Sequence, residues 1–118
     1  MTTPTCSREQ AEHLADAYFS AMRDQSLDGL LALLGSDAVI VWPDGRAIEG
    51  KQNIAAAYAR IFSGPSNNPV RGDIMLGSNS FSAEVVSRFA SGETRRTINV
   101  FRLGSDGRIA RMDSYRQG

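Results

Sequence analysis

Two runs of alternating side chains, residues 94–103 and 108–116, enclose the pair Asp106-Gly107. No other feature constrains the fold as strongly. An Asp-Gly pair between alternating runs specifies a tight β-hairpin, and a type I′ turn is expected because both of its central residues adopt positive φ. The strand ahead of the turn carries one uncharged amide, Asn99, between Ile98 and Val100. Such a residue either meets water or lines a cavity. Buried without a partner it costs roughly 1–3 kcal/mol, so its surroundings bear directly on function.

Two further strands, residues 70–76 and 81–90, precede the hairpin, with Ser91-Gly92-Glu93 as a tight connection. In the second of them, Phe81, Ala83 and Val85 compete with Glu84, Val86 and Arg88 for the core face. The apolar set is expected to win and leave Glu84 outside. Helices come earlier. Ser7 and Gln10 form a capping box, followed by Ala11, Leu14, Ala15, Tyr18 and Met22 at helical spacing, widened by Phe19. Residues 27–34 read as a second helix, stopped by Gly35 in a left-handed cap. Residues 37–42 read as a strand, Pro43-Asp44-Gly45-Arg46 as a turn, and residues 51–62 as a third helix. Its apolar face is Ile54, Ala57, Tyr58, Ile61 and Phe62, and Gly64-Pro65 ends it. Helices segregated to one face of a strand meander make an α+β fold. Three helices across the concave side of a strongly twisted sheet enclose a cone, whose interior is a natural small-molecule pocket.

A chain of 118 residues is sized for one domain, 1–118, with a core that needs no staples. Thirteen basic residues balance thirteen acidic ones, so no bulk field draws the chain to nucleic acid or a membrane. From Arg71 onward, however, eight basic residues face five acidic ones, all the basic ones arginine. Charge pairing between the halves is the main reading of this asymmetry, and an anionic ligand the alternative. Cys6 is the sole cysteine, which rules out an internal disulfide and leaves an incidental thiol in the N-terminal tail. His13 lies off the apolar stripe and is expected to be exposed. With one histidine, no zinc spacing and no phosphate-binding loop, neither metal nor cofactor is expected. No apolar run approaches the ~18 residues of a membrane span, and the first residues lack a signal-peptide core. A cytoplasmic protein is the expectation.

Several local motifs occur in a recognisable order: Tyr18-Phe19 on the first helix, then Ser36-Asp37-Ala38-Val39 leading to the Pro43-Asp44-Gly45 turn. Gly50 with Ile54 and Tyr58 follows, then Ile98-Asn99-Val100-Phe101-Arg102 and Asp106-Gly107-Arg108-Ile109. Over residues 7–116 this resembles the nuclear transport factor 2-like superfamily, and within it the ketosteroid isomerases and SnoaL-like polyketide cyclases. The resemblance implies a cone-shaped α+β barrel, with three N-terminal helices on a strongly curved, mixed or antiparallel sheet. Ketosteroid isomerase, a known example of acid–base tuning, moves a proton next to a carbonyl using a carboxylate base and two donors to the dienolate oxygen. By resemblance Tyr18 stands for the oxyanion tyrosine, Tyr58 for a supporting tyrosine and Asn99 for the second donor. The catalytic carboxylate is replaced by Trp42, whose indole cannot accept a proton, and an aromatic residue of the last strand by Arg116. The Asp/Arg pairs of the epoxide hydrolases are also missing, with Asn99 and Met112 in their places.

Each of these residues also has a plain structural reading. Tyr18 and Trp42 serve equally as core aromatics, and Asn99 as a bridge to backbone. Alternation puts Arg95, Thr97 and Asn99 on one face, and Met112, Ser114 and Arg116 on another. Should those faces be concave, Arg95 or Arg116 can hold an anion at the mouth, whereas on the surface they are solvated. Glu84, Asp113 and Asp44 are the substitute bases, each with a structural explanation: Glu84 and Asp113 alternate outward, and Asp44 belongs to its turn. The expected function is binding of a small hydrophobic carbonyl compound by Tyr18 and Asn99, with Trp42, Tyr58, Thr97, Met112, Ser114 and Arg116 around it. If there is catalysis, it is of the steroid Δ-isomerase or cyclase kind. The alternatives are a SnoaL-like cyclase or hydrolase on a polyketide-like substrate, or a non-catalytic ligand-binding or protein-interaction module. A homodimer is expected through the outer sheet face, where Ile98 and Val100 stand.

Overall fold

The computed structural model describes residues 5–117. Helix α1 spans Arg8–Asp24, α2 Leu27–Ala32 and α3 Lys51–Ile61. The strands are β1 (Leu34–Val41), β2 (Ala47–Glu49), β3 (Val70–Gly77), β4 (Ser80–Arg88), β5 (Thr94–Leu103) and β6 (Ile109–Arg116). They form one six-stranded sheet in the order β2-β1-β6-β5-β4-β3. Every pairing is antiparallel except β1 with β6, which is parallel and carries a register shift between Leu34 and Val39. The sheet is therefore mixed, and the parallel pair joins the helical half of the chain to the meander.

Local chemistry explains the elements. Ser7 caps α1, its hydroxyl accepting from the Gln10 backbone N–H at 3.1 Å, and Ser26 caps α2 in the same way. On α1, Ala11, Ala15, Tyr18 and Phe19 are buried against Phe81 and Phe101 of the sheet. Phe81 and Phe101 stack at 4.8 Å, and Tyr18 meets Phe101 edge-on at 5.0 Å. This aromatic cluster fills the narrow end of the cone. Along the sheet edge, Arg8 and Arg23 of α1 donate to the carbonyls of Ile74 and Pro69, and Asp16 pairs with Arg71 at 2.8 Å. The helix thereby covers an edge strand that would otherwise be open to another chain.

Several expectations change. Helix α2 ends at Ala32 with Leu33 in a right-handed conformation (φ −87°), so Gly35 is no cap and belongs to β1. Hydrogen bonding to β6 begins at Leu34 and absorbs the end of the helical pattern. The short strand β2 had no distinct sequence signal. It exists because the Trp42–Arg46 turn folds it back on β1. Ile61 is 44% exposed, so the apolar face of α3 is narrower than its composition implies. Cys6 is 6% exposed, and burial raises its thiol pKa. It belongs to the core ahead of α1 and is not a tail thiol.

The Asp106-Gly107 turn is not type I′. Only Gly107 has positive φ, +80°. Gly107 N–H donates to Gly104 C=O at 3.1 Å, and Asp106 Oδ1 accepts from Arg108 N–H at 3.0 Å. That is a four-residue turn closed by a left-handed glycine, another common hairpin form. Trp42–Arg46 and Phe89–Glu93 repeat it with Gly45 and Gly92, each at φ +91°. Asp44 and Ser91 supply the side-chain acceptors there.

On the convex face, alternation carries Asp113 away from Met112 as expected. Even so it is not solvated. Its side chain is 7% exposed beneath Arg111 and Arg102, which contact it at 2.9 and 2.8 Å. The bond to Arg111, opposed by desolvation and aided by the charges of both arginines, holds its carboxyl below the ordinary range. A depressed folded-state pKa means the contribution is complete above the unfolded value near 3.9 and is lost as pH falls through the folded value. Both arginines are half exposed, so the benefit is modest. Asp113→Asn is expected to lower unfolding free energy by about 1–2 kcal/mol at pH 7. In urea melts at decreasing pH, the gap to the parent should close below about pH 4.

Candidate functional site

Registered pairing turns three neighbouring strands into rows of side chains across the concave face. Phe81 pairs with Phe101 and Phe101 with Met112, giving an apolar first row. Ala83, Asn99 and Ser114 make the second, Val85, Thr97 and Arg116 the third, and Ser87 with Arg95 the last. From the third row outward, every β5 and β6 member is polar or charged. A cavity of about 500 Å³ lies over the outer three rows. Its walls are Tyr18, Phe19 and Met22 of α1, Tyr58 of α3, and Trp42 with Pro43 of the first turn. All the site residues expected from the sequence border it: Tyr18, Trp42, Tyr58, Thr97, Asn99, Met112, Ser114 and Arg116.

Trp42, Tyr58 and Tyr18 form a connected group. Trp42 Nε1 donates to the Tyr58 hydroxyl at 3.4 Å, and since an indole N–H only donates, Tyr58 is the acceptor. The rings meet edge-on at 6.4 Å, and the Arg46 guanidinium covers Trp42 at 5.0 Å. Burial raises the pKa of Tyr58, opposed by the bond from Trp42 and by the neighbouring Tyr18 hydroxyl. Tyr18 is pushed well above the tyrosine range by burial, with Tyr58 adding to the effect. Both phenols are therefore protonated at neutral pH. Tyr58 accepts from Trp42, which polarises its own O–H.

Asn99 is 6% exposed. Its Oδ1 is fully buried and has no hydrogen-bond partner among the described residues. A buried amide edge left unpaired over a cavity is unusual. Rotation about Cβ–Cγ lets the same group present either its oxygen or its NH₂.

Carboxylates are nearly absent from the cavity. Glu84 is exposed and pairs with Ile98 on the convex side, and Asp113 lies under its arginines. Asp44 alone borders the cavity among the described residues. The Arg46 backbone N–H, then its guanidinium, lower the Asp44 pKa, which makes it a weak proton acceptor. No group of three His, Cys, Asp or Glu residues is placed to hold a metal among the described residues. None of their helices is long and apolar enough to cross a membrane.

The fold and this cavity find matches elsewhere. The sequence profile of the SnoaL-like domain matches residues 15–112. The chain belongs to the SnoaL-like family. Among solved structures, a SnoaL-like protein of unknown function from Burkholderia thailandensis E264 superposes with a TM-score of 0.84 at 18% identity, covering 98% of this chain and 100% of its own. A nuclear transport factor 2-like protein of unknown function from Mesorhizobium loti gives 0.81 at 21% identity, covering 98% and 97%. A chain from Kribbella flavida DSM 17836, provisionally assigned as a ketosteroid isomerase, gives 0.76 at 18% identity, covering 93% and 79%. No curated protein sequence matches significantly. At these identities the structural matches establish the fold.

In this SnoaL-like cone, sequence reasoning missed Ser87, Phe89, Asn67 and Pro69. Extending the Phe81-Ala83-Val85 alternation by two steps reaches Ser87 and Phe89. Asn67 and Pro69 lie in an aperiodic loop fixed by Asn67 C=O accepting from Arg88 N–H at 2.8 Å, and no periodic signal marks them. The orphaned amide gives a direct test. Asn99→Leu removes an unpaired buried polar group, so it should raise unfolding free energy by about 1 kcal/mol while weakening any cavity ligand. Lowered stability in a chemical melt would instead show that the amide is a structural bridge.

Proposed function

We propose that this SnoaL-like protein binds a small, predominantly apolar compound through a carbonyl or phenolic oxygen at the inner end of the cone. The unpaired amide of Asn99, beside two neutral tyrosine hydroxyls in a cavity with apolar walls, carries this reading. Tyr58 is the principal donor, since the Trp42 indole N–H feeds its oxygen. Tyr18 supports it, which reverses the roles implied by resemblance. A carbonyl oxygen between Tyr58 O–H and the Asn99 NH₂ is polarised by two oriented dipoles in a poorly solvated site, the arrangement that stabilises an enolate. Trp42 contributes orientation and no proton acceptance. Binding and carbonyl polarisation are therefore the activities these residues can provide. Isomerisation or cyclisation requires a base, and Asp44 is its nearest source.

Trp42 is the single tryptophan and borders the cavity, so its emission reports occupancy. A steroidal phenol should change that emission saturably. Tyr58→Phe should weaken binding by about 10-fold, more than Tyr18→Phe does. A larger loss in Tyr18→Phe would return the donor role to Tyr18, and no saturable change in the parent protein would remove the ligand site. Catalytic capacity has its own test. Trp42→Asp places a carboxylate where the wall now stands and should confer measurable isomerisation of a β,γ-unsaturated steroid ketone. Folded protein with no gain would argue against a competent oxyanion pair at Tyr58 and Asn99.

A further inference from the structure

The outermost rows of the concave face carry charge that a neutral ligand would leave unused. Arg95 and Arg116 border the mouth of the cavity, on the same inner face as Asn99. Arg95 is held on two sides: its Nε donates to Glu93 Oε1 at 3.2 Å, and its guanidinium lies 4.6 Å over the Phe89 ring. Stacking and the Nε contact fix the plane of the group and leave its terminal NH₂ edge without a partner among the described residues. Arg116 makes no side-chain hydrogen bond or ion pair among the described residues. The other charges at the rim cancel locally, Asp44 with Arg46 at 2.9 Å and Glu93 with Arg95. Arg116 is therefore the uncompensated charge of the mouth. Arg116 is exposed at this rim, and Phe89, Met22 and Pro69 supply apolar wall to the same cavity.

We propose that the ligand is amphipathic and bifunctional, with an oxygen at Tyr58 and Asn99 and a carboxylate at the opposite end, held at the mouth by Arg116 and Arg95. This rests on the reading of the cone as a ligand site and names the class of compound it takes. A guanidinium and a carboxylate meet through two parallel hydrogen bonds, and the free edge of Arg95 and the unpaired Arg116 both offer that fork. The spacing also sets a length. Asn99 and Arg95 are four residues apart on one strand, about 13 Å, so the two polar ends must be separated by roughly that distance. The locally basic charge of the sheet-rich half thereby acquires a specific use.

Two probes of one shape separate the possibilities: 3-oxoandrost-4-ene-17β-carboxylic acid and its 17β-carboxamide, each titrated against Trp42 emission and by calorimetry. The acid should bind about 10-fold tighter than the amide. Arg116→Gln should remove most of that difference, and Arg95→Gln part of it, while amide affinity changes less than twofold. On the unmodified protein, raising salt from 50 to 500 mM should weaken the acid and leave the amide unchanged. This arm holds even if a variant misfolds. Equal affinities for both probes, or a preference insensitive to salt, would overturn the anionic end while leaving the cone as a ligand site. Binding of neither probe would overturn both readings.

Discussion

The antiparallel register of β4, β5 and β6 is the constraint from which the rest of the molecule follows. Side chains on a strand alternate with a period of two, so a slip of one residue would exchange the whole concave set for the convex one. In the native register Phe101, Asn99, Thr97 and Arg95 stand on one line, from the aromatic cluster to the mouth. Ile98, Val100 and Arg102 stand on the reverse. The stacked pair Phe81–Phe101 and the covered Asp113 on the opposite face both oppose slippage. One packing decision thus fixes core, cavity floor and outer surface together.

Function in such a cone depends on how polar groups are supported within apolar walls. Trp42, which the resemblance to ketosteroid isomerases sets in place of a carboxylate, is integrated with the cavity wall. Its indole N–H bonds the Tyr58 hydroxyl oxygen, and its ring meets Tyr58 edge-on and lies under the Arg46 guanidinium. Trp42 thereby makes a cavity wall tied to Tyr58 by its own hydrogen bond. The amide at Asn99 fits the same logic. An amide can donate without a raised pKa, and here its buried Oδ1 is left unpaired.

Much of this was legible in the sequence because the signals were periodic. The helical spacing of Ala11, Ala15, Tyr18 and Phe19, and the two-residue spacing through β4 and β5, assigned the faces that the structure adopts. They also brought Tyr18, Tyr58, Asn99 and Arg116 to one cavity. Information failed where tertiary pairing overrode local chemistry. Gly35 looked like a helix cap, but pairing with β6 drew Leu34 and Gly35 into a strand. Asp106-Gly107 looked like a two-residue turn, but the Asp106 side chain satisfies a backbone N–H in the longer turn. Asp113 was assigned its correct face, while its covering depended on arginines whose reach no alternation pattern encodes. Asn67 and Pro69 depended on where an aperiodic loop settles.

The parallel pairing of β1 with β6 has a kinetic meaning. Strand β6 is the last of the nine elements among the described residues but sits in the interior of the sheet, between β1 and β5. Contacts such as Val41 with Asp113 close a loop that contains most of the chain, and loop closure of that kind comes late because its entropy is lost before the contacts form. Until then the β1–β2 pair lacks its parallel neighbour, and β5 presents an open edge. The cavity is incomplete until that pairing forms, since Met112, Ser114 and Arg116 arrive only with β6. A compound held in that cavity would touch the final strand to be added and so favour the completed fold.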